Sequence, residues 1–587
     1  MKFNEVAEAF NEIQSVSSRN KITELLADLF KKATSREASL ISYLSLGELS
    51  PVYVGTQFNI ADKSLYTVIA KLFGESLENI KRRAKQKGDL GLVIEEGPKH
   101  RLVEELSLTQ VNKFLHEIHD ISGTGSQEKK ESKLIELLKK LDPLSGKYIV
   151  RIILGKLRLG FSDMTLLDAF SWMKMGDKSL RLSLEEAYNV SADIGHLVFI
   201  LKEEGIRAIE KMKVEVGIPL RPAAAERASS AAAVIKRLGE CVAQPKLDGF
   251  RLQVHLDNRT KTPKVHFYSR NLQDMSEMFP DLKKAVCSLK VKTLVAEGEA
   301  IAYDQETDTF LPFQETVKRK RKHKIEKAVT DFPLKLYFFD LLHLNGKTFF
   351  EMSHAERRKE LLKLFKSLGK EARDIIYPIE EKKITTSKEL EEYFEENVSS
   401  GLEGLVIKKP DAMYKAGKRN FNWIKLKREE SGELADTIDC VILGYYSGHG
   451  KRTAFGIGSF LVGIYNKKDD GFQTIAKIGT GLTDSGWKEL KKKCDEVAVK
   501  NKPRNVECSK GLVPDVWISP EIVCAVRADE ITHSPLHTAG KTSSELGYAL
   551  RFPRFMQYRG DKSSEDATTI KEVKSLFEIQ FKKRSKK

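Results

Sequence analysis

Apolar residues recur every three to four positions through the first third of the chain. The stretches NKITELLADLFKKA and SKLIELLKKLDPLSGKYIVRIILGKLRLG show this spacing, and few segments there alternate as a strand would. A period near 3.6 places the apolar side chains along one face of a helix. The pattern therefore predicts an all-helical domain over residues 1–215.

The period changes after the proline-containing connector GIPLRPAAAER. Short runs rich in β-branched and aromatic residues then alternate with helical segments, and in one run Leu252, Val254 and Leu256 are separated by polar residues. Such alternation is typical of a strand with one buried face. The sequence predicts a mixed α/β domain over residues 216–428.

Glycine-containing turns separate strand-like runs in the last part of the chain, namely TIDCVILGYYSGHG, GSFLVGIYN and FQTIAKIGTG. Short strands with such turns are typical of a small β-barrel. We therefore expect a barrel over residues 429–587, and the polar segment REESGELADT is the expected hinge before it. The predicted fold class is multidomain α+β.

Composition and charge add a candidate partner. Of the 587 residues, 41% are hydrophobic and 31% charged, which is typical of a folded protein. The formal charge of +16 favours nucleic acid as partner, because clustered cations displace counterions from phosphates. No apolar stretch reaches the roughly eighteen residues of a membrane span, and the six cysteines form no C-x-x-C pair. We expect a soluble intracellular protein with reduced thiols and no membrane partner.

Lys246 precedes an Asp-Gly pair at the head of a predicted strand, in AQPKLDGFRLQVH. A lysine at such a position is most often a solvated surface charge, so it carries no functional hypothesis alone. The basic runs KRKRKHK, at 318–324, and FKKRSKK at the C-terminus are likewise expected to be solvated charge runs.

Two pairs of like charges lie on other predicted strands. Glu297 and Glu299 are two residues apart, which places both carboxylates on one face, where a divalent cation or a proton relieves their repulsion. Lys425 and Lys427 are spaced in the same way, and a phosphate would relieve theirs. The two glutamates could instead lie on a sheet face that is exposed to water. The two lysines could instead protect an exposed edge strand from pairing with another chain.

The order of these residues resembles that of the covalent nucleotidyltransferase superfamily of DNA ligases, RNA ligases and capping enzymes. The series runs Lys246-x-Asp-Gly-x-Arg251, Ser269-Arg270-Asn271, Glu297-Gly-Glu299, Phe339-Asp340, Glu403-Gly404 with Lys408, and Lys425-x-Lys427. The segments GIPLRP, PFQETVKRKRK, IGTGLTD and HTAGKTSSELGYALRFPRFMQYRG are similar to those of ATP-dependent DNA ligases. SGTGSQEKKESKLIELL and KYIVRIILGKLRLGFSD resemble the DNA-binding domain of archaeal and eukaryotic replicative-type ligases.

The resemblance covers nearly the whole chain and implies a role for each predicted domain. The helical domain, 1–215, would bind DNA; the mixed domain, 216–428, would be the adenylation or nucleotidyltransferase domain; and 429–587 would be an OB-fold. Lys246 would be the catalytic nucleophile that attacks the α-phosphorus of ATP and becomes lysyl-AMP. Neighbouring cations suit this role, because an amine must lose its proton before it can attack.

The same resemblance implies the nucleotide and metal ligands. Glu299 and Glu403, with Glu297 nearby, would hold Mg²⁺, for which Mn²⁺ can substitute. Phe339 would stack on adenine, and Asp248 has no assigned role. The full set implied for the nucleotide is Gln244, Lys246, Arg251, Arg270, Glu299, Phe339, Glu403, Lys408, Lys425, Lys427, Arg551 and Arg554.

Gln244 departs from the family pattern, in which a glutamate two residues before the nucleophile accepts a hydrogen bond from the adenine amino group. The carbonyl of Gln244 can accept the same hydrogen, but its NH₂ can instead donate to guanine O6. ATP is the expected nucleotide, although the usual ground for excluding GTP is weaker with a glutamine at this position.

The DNA contacts implied by the resemblance lie in the helical domain. The candidates for contacts with the DNA backbone are Gly125, Ser126, Arg151, Lys156 and Arg158. Because a nick occurs in any sequence, such contacts are expected to involve phosphates rather than bases. The alternative for Lys156 and Arg158 is an ordinary solvated position on a helix.

The leading hypothesis is an ATP-dependent DNA ligase that joins 3′-OH to 5′-phosphate at nicks in duplex DNA. The alternatives are an RNA ligase or GTP-using capping-type enzyme, and a catalytically silent DNA-binding scaffold. We expect a monomer acting on nicked duplex DNA, with a sliding clamp as a further candidate partner. Its location would be cytoplasmic or nucleoid-associated, or nuclear in a eukaryote.

Overall fold

A computed structural model describes residues 1–98, 104–228, 230–304, 309–311, 313–321, 323–366, 368–400, 402–427, 437–448 and 454–585. The chain divides into two compact units, Met1–Leu77 with Ile94–Arg428, and Glu78–Val93 with Glu429–Lys587. Residues 78–93 thus group with the C-terminal part, although the sequence placed them in the helical domain. The hinge segment lies outside the described residues except for Thr437. The three-domain boundaries stay a prediction.

The N-terminal part is helical throughout its described residues, as the periodicity predicted. Asp142 caps α9 by accepting a hydrogen bond from the Ser145 N–H at 3.0 Å, and Pro143 opens the helix, so the long periodic run divides into two helices. The helices are α1 Phe3–Ser15, α2 Arg19–Lys32, α3 Ser35–Ser45, α4 Asp62–Phe73, α5 Leu77–Lys87, α6 Leu90–Glu95, α7 Leu108–Asp120, α8 Ser126–Lys140, α9 Pro143–Ile153, α10 Asp163–Met175, α11 Arg181–Val190, α12 Ile194–Glu203 and α13 Ile206–Glu210.

The rest of the first unit alternates strands and helices, which confirms the mixed α/β prediction. The strands are β1 Ala224–Ala228, β2 Cys241–Lys246, β3 Phe250–Asp257, β4 Lys264–Ser269, β5 Thr293–Asp304, β6 Thr309–Phe310, β7 Leu334–Leu344, β8 Lys347–Thr348, β9 Ile376–Pro378, β10 Lys382–Ile384, β11 Gly404–Lys408 and β12 Arg419–Lys427. The helices are α14 Ala231–Leu238, α15 Pro280–Cys287, α16 Phe313–Val317, α17 Ile325–Asp331, α18 His354–Lys366, α19 Lys370–Arg373 and α20 Ser387–Ser399.

These strands form two sheets. A five-stranded sheet has the order β1-β12-β11-β2-β10, and a seven-stranded sheet has the order β4-β3-β5-β7-β8, with β6 beside β5 and β9 beside β7. Helices α14 and α20 cover the first sheet, whose core includes Val234, Leu390 and Leu405. The second sheet packs on α15 and α18 through residues such as Phe338 and Leu361. Each sheet therefore has its own apolar core.

The second unit contains an eight-stranded sheet, along the path β16-β18-β13-β14-β15-β17 with β19 and β22 attached, and the hairpin β20-β21. Phe460 and Trp487 pack in its core. Its elements are β13 Ile438–Tyr446, β14 Ser459–Asn466, β15 Gly471–Ile478, α21 Asp484–Glu496, β16 Ala498–Val499, β17 Val506–Glu507, β18 Val516–Ile518, β19 Val523–Arg527, β20 Glu530–Ser534, β21 Gly547–Arg551, β22 Arg554–Tyr558 and α22 Ile570–Ser585. None of the helices described here is long and apolar enough to cross a membrane.

A buried histidine fastens the connector between the helical and sheet parts of the first unit. His255 on β3 accepts a hydrogen bond from the Gly217 N–H at 3.1 Å, and its other ring nitrogen lies 3.0 Å from Gln253 Oε1. The Leu220 N–H donates to the same amide oxygen at 2.7 Å. Burial, with smaller effects from His266 and His343, lowers the pKa of His255 to about 3. The ring is therefore neutral in the folded state at pH 7.

We expect His255 to make the first unit sensitive to mild acid. Its pKa is lower in the folded chain than the usual 6.5, so the unfolded chain takes up a proton first as pH falls. The free energy of unfolding should decrease below pH 6.5, by up to about 1.4 kcal/mol per pH unit, until the folded-state pKa is reached. Thermal unfolding from pH 7 to pH 5 should show a smaller decrease for His255→Gln. The exposed His323→Gln is the control, and equal slopes for all three proteins would refute the assignment.

Candidate active site

Residues from both sheets of the first unit line one cavity of about 450 Å³. The strand β2 ends there, and β3, β5, β7, β11 and β12 each contribute side chains. Nine of the residues implied for the nucleotide share its lining, namely Gln244, Lys246, Arg251, Arg270, Glu299, Phe339, Lys408, Lys425 and Lys427. The two sheets thus bring together residues that are up to 183 positions apart in the sequence (427 − 244).

Lys246 is joined to a carboxylate as well as being near other lysines. One oxygen of Glu403 forms an ion pair with Lys246 Nζ, and the other pairs with Lys427 Nζ. Burial opposes ionisation of Glu403, but Lys246 and Lys427 together lower its pKa. The sequence predicted cations around Lys246, and the structure adds the anion that holds two of them.

Gly404 allows Glu403 to reach this position. Its φ of +138° is rarely adopted by other residues, and a Cβ there would lie 2.3 Å from the carbonyl oxygen of Leu426. Gly404 is paired with Lys246 on β2 and with Lys427 on β12. The close approach of these strands therefore places one carboxylate between two ammonium groups.

Glu299 lies on β5, opposite Arg251 on β3. Gly249 approaches it closely, since a Cβ at Gly249 would lie 2.3 Å from the carbonyl oxygen of Ala300. Burial raises the pKa of Glu299 to about 7, against the opposing effects of Lys246, Arg251 and a hydrogen bond from the Gly249 backbone. The nearby Glu403 carboxylate contributes to this increase in the pKa. Glu299 is thus a half-buried carboxyl group whose ionisation a cation would favour.

Glu299 and Glu403 suit a magnesium ion. Mg²⁺ is usually bound through one or two carboxylates together with substrate phosphates, rather than by a complete protein cage. No group of three His, Cys, Asp or Glu side chains among the described residues is arranged to hold a metal. The oxygen donors present therefore fit the ion that the sequence implied.

Glu297 has a different environment from Glu299. Arg251 Nη2 donates to both of its oxygens, at 2.8 and 2.9 Å, and the Tyr414 hydroxyl donates to one of them at 2.9 Å. Arg251 also donates to the carbonyl of Ala223 at 2.8 Å. Glu297 is fully buried, so its role in the structure is to hold Arg251 at the cavity wall.

Two aromatic rings form a second part of the wall. Phe339 and Trp423 lie 6.1 Å apart between centroids, at an interplanar angle of 79°. Lys408 Nζ donates to the carbonyl of Phe339 at 2.8 Å and lies 4.2 Å from the Trp423 centroid. Burial lowers the pKa of Lys408 to about 8, although Asp340 and Glu381 oppose this. Lys408 is only 1% exposed, so a phosphate must enter the cavity to reach it.

Three family models match the chain, in the same order as the three predicted domains. "DNA ligase N terminus" matches residues 2–171, "ATP dependent DNA ligase domain" matches 222–427, and "ATP dependent DNA ligase C terminal region" matches 453–562. The cavity and all nine of its predicted lining residues lie within the second match.

Curated relatives match along their full length. A "Probable DNA ligase" of Dictyoglomus turgidum is 44% identical over 588 residues, covering 100% of this chain and 99% of the relative. The chain belongs to the ATP-dependent DNA ligase family. A "DNA ligase 1" of Methanosarcina acetivorans is 37% identical, covering 98% of this chain and 100% of that one. A solved structure named "Pmar-Lig_PreS3" shares the fold, with a TM-score of 0.55 at 15% identity over 94% of this chain and 99% of that one.

Membership of this family makes the chain an ATP-dependent ligase enzyme of the nucleotidyltransferase type. It favours DNA ligation over the RNA-ligase, capping and silent-scaffold alternatives. The family assignment does not test individual site residues, and their roles stay predictions.

Sequence reasoning missed several lining residues of the ligase cavity. Phe250, Phe313, Lys320 and Trp423 also face it. The basic run 318–324 was expected to be solvated, and that expectation was wrong for Arg319, which is 1% exposed and donates to Asp281 at 2.6 Å. Lys320 lines the cavity but is exposed, as expected. No periodicity in so short a charged run distinguishes a buried cation from a solvated one.

The predicted nucleotide ligands outside the cavity wall have other surroundings. Glu403 forms an ion pair with Lys246 without itself lining the cavity, whereas Arg270 is an exposed part of the lining after β4. In the second unit, Arg551 forms an ion pair with Glu530, and Arg554 forms one with Asp529. Both arginines therefore have carboxylate partners that a nucleotide phosphate would have to replace.

The predicted DNA contacts of the ligase are only partly at the surface. Gly125, with φ of +75°, and Ser126 begin α8, and Lys156 is exposed in the loop after α9. Arg158 lies in the same loop with φ of +60°, not on a helix as the alternative assumed. Arg151 is 2% exposed and donates to Gln14 at 2.7 Å. Burial removes Arg151 from the candidate DNA surface.

A buried network of charges supports the cavity from behind. Asp340 accepts two hydrogen bonds from Arg357, at 2.7 and 3.0 Å, and lies 3.6 Å from Lys408 Nζ. Burial opposes ionisation of Asp340, but Arg357 and Lys408 hold its pKa well below the usual range. His354 Nδ1 lies 3.9 Å from Asp340, and its Nε2 lies 2.8 Å from Glu381. The carboxylates thus pair with basic groups, and Asp340, His354, Arg357 and Lys408 are buried.

We expect Arg357→Met to destabilise the first unit strongly. The substitution removes four hydrogen bonds, two to Asp340 and one each to the carbonyls of Met352 and Ala412. It leaves the Asp340 carboxylate buried with weaker compensation, which typically costs about 3–5 kcal/mol. Denaturant unfolding would measure the change. Arg373→Met, at an exposed position of the same unit, is the matched control and should change stability by less than about 0.5 kcal/mol. Similar values for the two variants would show that the network contributes nothing specific.

Proposed function

We propose that the chain seals nicks in duplex DNA by three transfers of one adenylyl group, starting at Lys246. The observation that carries this proposal is the placement of Lys246 Nζ against Glu403 and Lys427, in a cavity that also contains Glu299 and the Phe339 ring. A nucleophile, cations for phosphates and a flat apolar wall for a base are thus combined in the domain that matches ATP-dependent ligases.

In the first transfer, the neutral amine of Lys246 attacks the α-phosphorus of ATP. The N–P bond forms while the bond from phosphorus to the pyrophosphate oxygen breaks, and pyrophosphate leaves with that electron pair. Lys246 must first separate from Glu403 and lose a proton. Lys425 and Lys427 remain to stabilise the negative charge that spreads over the phosphate oxygens in the transition state.

Glu299 and Glu403 would hold Mg²⁺, or Mn²⁺ in its place. When bound, such an ion neutralises phosphate charge and polarises the phosphorus–oxygen bonds. Arg251, fixed by Glu297, and the exposed Arg270 would bind the ribose side and phosphates of the substrate, since guanidinium groups form paired hydrogen bonds with phosphate. Phe339 would stack on the base.

The second transfer moves AMP from Lys246 to the 5′-phosphate at the nick. In the third, the 3′-OH attacks that phosphate and AMP leaves, so the phosphodiester bond forms at the expense of one ATP. Lys408 would assist in holding phosphates. We assign Arg551 and Arg554 to pyrophosphate, which requires each to exchange its carboxylate partner for phosphate oxygens.

Residues of the helical N-terminal part would hold nicked duplex DNA through its backbone phosphates. Gly125 would offer its backbone N–H and Ser126 its hydroxyl at the start of α8, because the Ser126 N–H already donates to the carbonyl of Gly123. Lys156 and Arg158 would offer cations. We propose that the chain acts as a monomer inside the cell, where chromosomal DNA is found. A sliding clamp stays a candidate partner.

We predict that Lys246→Arg forms no adenylated protein, because a guanidinium stays protonated at neutral pH and cannot attack. Incubation with ATP and Mg²⁺, followed by mass spectrometry of the peptide containing residue 246, should detect one adenylyl group on the unmodified chain only. Lys383→Arg, exposed on β10 of the same sheet, is the control and should be adenylated normally. An adduct on a different lysine would contradict the assignment.

The same preparation distinguishes the alternatives. A DNA ligase should seal a nicked DNA duplex with ATP, whereas a capping-type enzyme should become labelled from GTP, and an RNA ligase should join RNA ends in preference to DNA. A silent scaffold should bind nicked DNA without forming any adduct.

We predict that Lys156→Ala weakens nick binding through the loss of one phosphate contact. The slope of log affinity against log salt concentration should decrease in magnitude by about 1, because one fewer counterion is released. Fluorescence anisotropy with nicked duplex at several salt concentrations measures this slope, and self-adenylation without DNA reports that the fold is intact. Lys174→Ala, exposed on α10, is the control; an equal slope for both variants would show that Lys156 makes no phosphate contact.

A further inference from the structure

The amide of Gln244 has a fixed orientation. Its side chain is 2% exposed, and its Nε2 donates to Glu381 Oε2 at 2.7 Å. A carboxylate only accepts hydrogen bonds, so the NH₂ rather than the carbonyl must face Glu381. Burial opposes ionisation of Glu381, but His354, Lys408 and Arg358 lower its pKa, which keeps it a carboxylate. The chemistry of the partner therefore determines which end of the amide faces the cavity.

His354 holds Glu381 in this position. Its Nε2 lies 2.8 Å from the same Oε2 atom that accepts from Gln244, so this nitrogen must carry a hydrogen. His354 itself is 2% exposed at the start of α18, and its Nδ1 faces Asp340. Glu381 directly precedes β10, which pairs with β2 next to Gln244. The hydrogen bonds from Gln244 to Glu381 and from His354 to Glu381 thus connect the five-stranded sheet to α18, which packs on the other sheet.

The carbonyl oxygen of Gln244 is the group left for a ligand. Within the described residues, the amide makes a hydrogen bond only through its nitrogen. Gln244 lines the cavity together with the apolar residues Phe339, Ile379, Val406 and Trp423. An acceptor at such an apolar cavity wall, with no donor from the protein, needs a ligand or water to supply an N–H or O–H. A planar base with an amino group at its edge meets this requirement.

We propose that Glu381, held by His354, is a positioning residue that keeps the Gln244 carbonyl toward the cavity and thereby selects ATP over GTP. This inference rests on the proposed function and deepens it. Adenine presents an amino group to the carbonyl and completes its hydrogen bond. Guanine and hypoxanthine present an oxygen instead, which repels the carbonyl and leaves both acceptors without a hydrogen. Sites built around such a bond discriminate by large factors, because the wrong ligand leaves buried polar groups unpaired.

The test compares covalent labelling of the full chain by ATP, GTP and ITP, each labelled at the α-phosphate, in the presence of Mg²⁺. ITP carries the guanine-type oxygen without the 2-amino group, so it isolates the effect of that oxygen. For the unmodified chain we expect kcat/KM for ATP to exceed both others by about 100-fold or more. ITP labelling as efficient as ATP labelling would overturn the proposal without any variant.

Glu381→Gln removes the obligate acceptor and lets the Gln244 amide turn. We expect the ATP-to-GTP ratio of kcat/KM to fall at least tenfold, mainly through a higher KM for ATP. Glu380→Gln, the exposed neighbour, is the matched control and should keep the ratio. An unchanged ratio in Glu381→Gln would overturn the proposal.

The double variant Gln244→Glu with Glu381→Gln exchanges the two side chains. A carboxylate at 244 presents only acceptors to the cavity, and an amide at 381 can donate to it, so the preference for ATP should return to within threefold of the unmodified chain. A structural defect would not be rescued in this way, and failure of rescue would count against the proposal. If the unmodified chain takes no label from any nucleotide, the proposed function itself fails; if it takes label and only the ratios disagree, the positioning role alone is refuted.

Discussion

One carboxylate determines how the candidate active site is assembled. Glu403 binds the ammonium groups of Lys246 and Lys427 with its two oxygens, and each of these three side chains is only about a quarter exposed. Without an anion, two cations so close and so shielded from water would repel strongly. The ion pair between Lys246 and Glu403 must break before the amine can react. The interaction that assembles the site therefore also restrains its nucleophile. A metal ion and a phosphate provide the charges that can replace these contacts.

Behind the cavity, carboxylates again lie between hydrogen-bond donors. Asp340 lies between Arg357 and Lys408, and Glu381 lies between His354 and the Gln244 amide. Burying such groups gives little net stability compared with an apolar core, but each fixes the direction of its partners. Their value to a ligase would lie in orientation: a cavity wall whose donors and acceptors cannot turn is selective for the ligand that complements them.

Local pattern was sufficient for the elements that carry these residues. Alternation in FRLQVH predicted a strand, which the structure has as β3, and the segment with Glu297 and Glu299, also predicted as a strand, is β5. The Asn345-Gly346 turn follows β7 with positive φ at both residues, as that dipeptide favours. The sequence pattern did not predict side-chain contacts between residues that are distant in the sequence. The connections of Glu297 to Arg251 and Tyr414, of Arg319 to Asp281, and of Arg151 to Gln14 all depend on contacts that no local period encodes.

The sequence by itself determined the family, the fold class, the order of the strands that bear the site, and the chemical types that meet there, because the periodicity and the spacing of charged residues are local properties. Only the tertiary structure determined which charged side chains form pairs. These pairs in turn determine how the polar side chains of the site are oriented. The tertiary structure buried Arg151, committed Glu297 to Arg251, and turned the NH₂ of Gln244 away from the cavity. The sequence specifies a glutamine at position 244 but not the orientation of its amide. That orientation depends on the Glu381 carboxylate, which the fold places beside it.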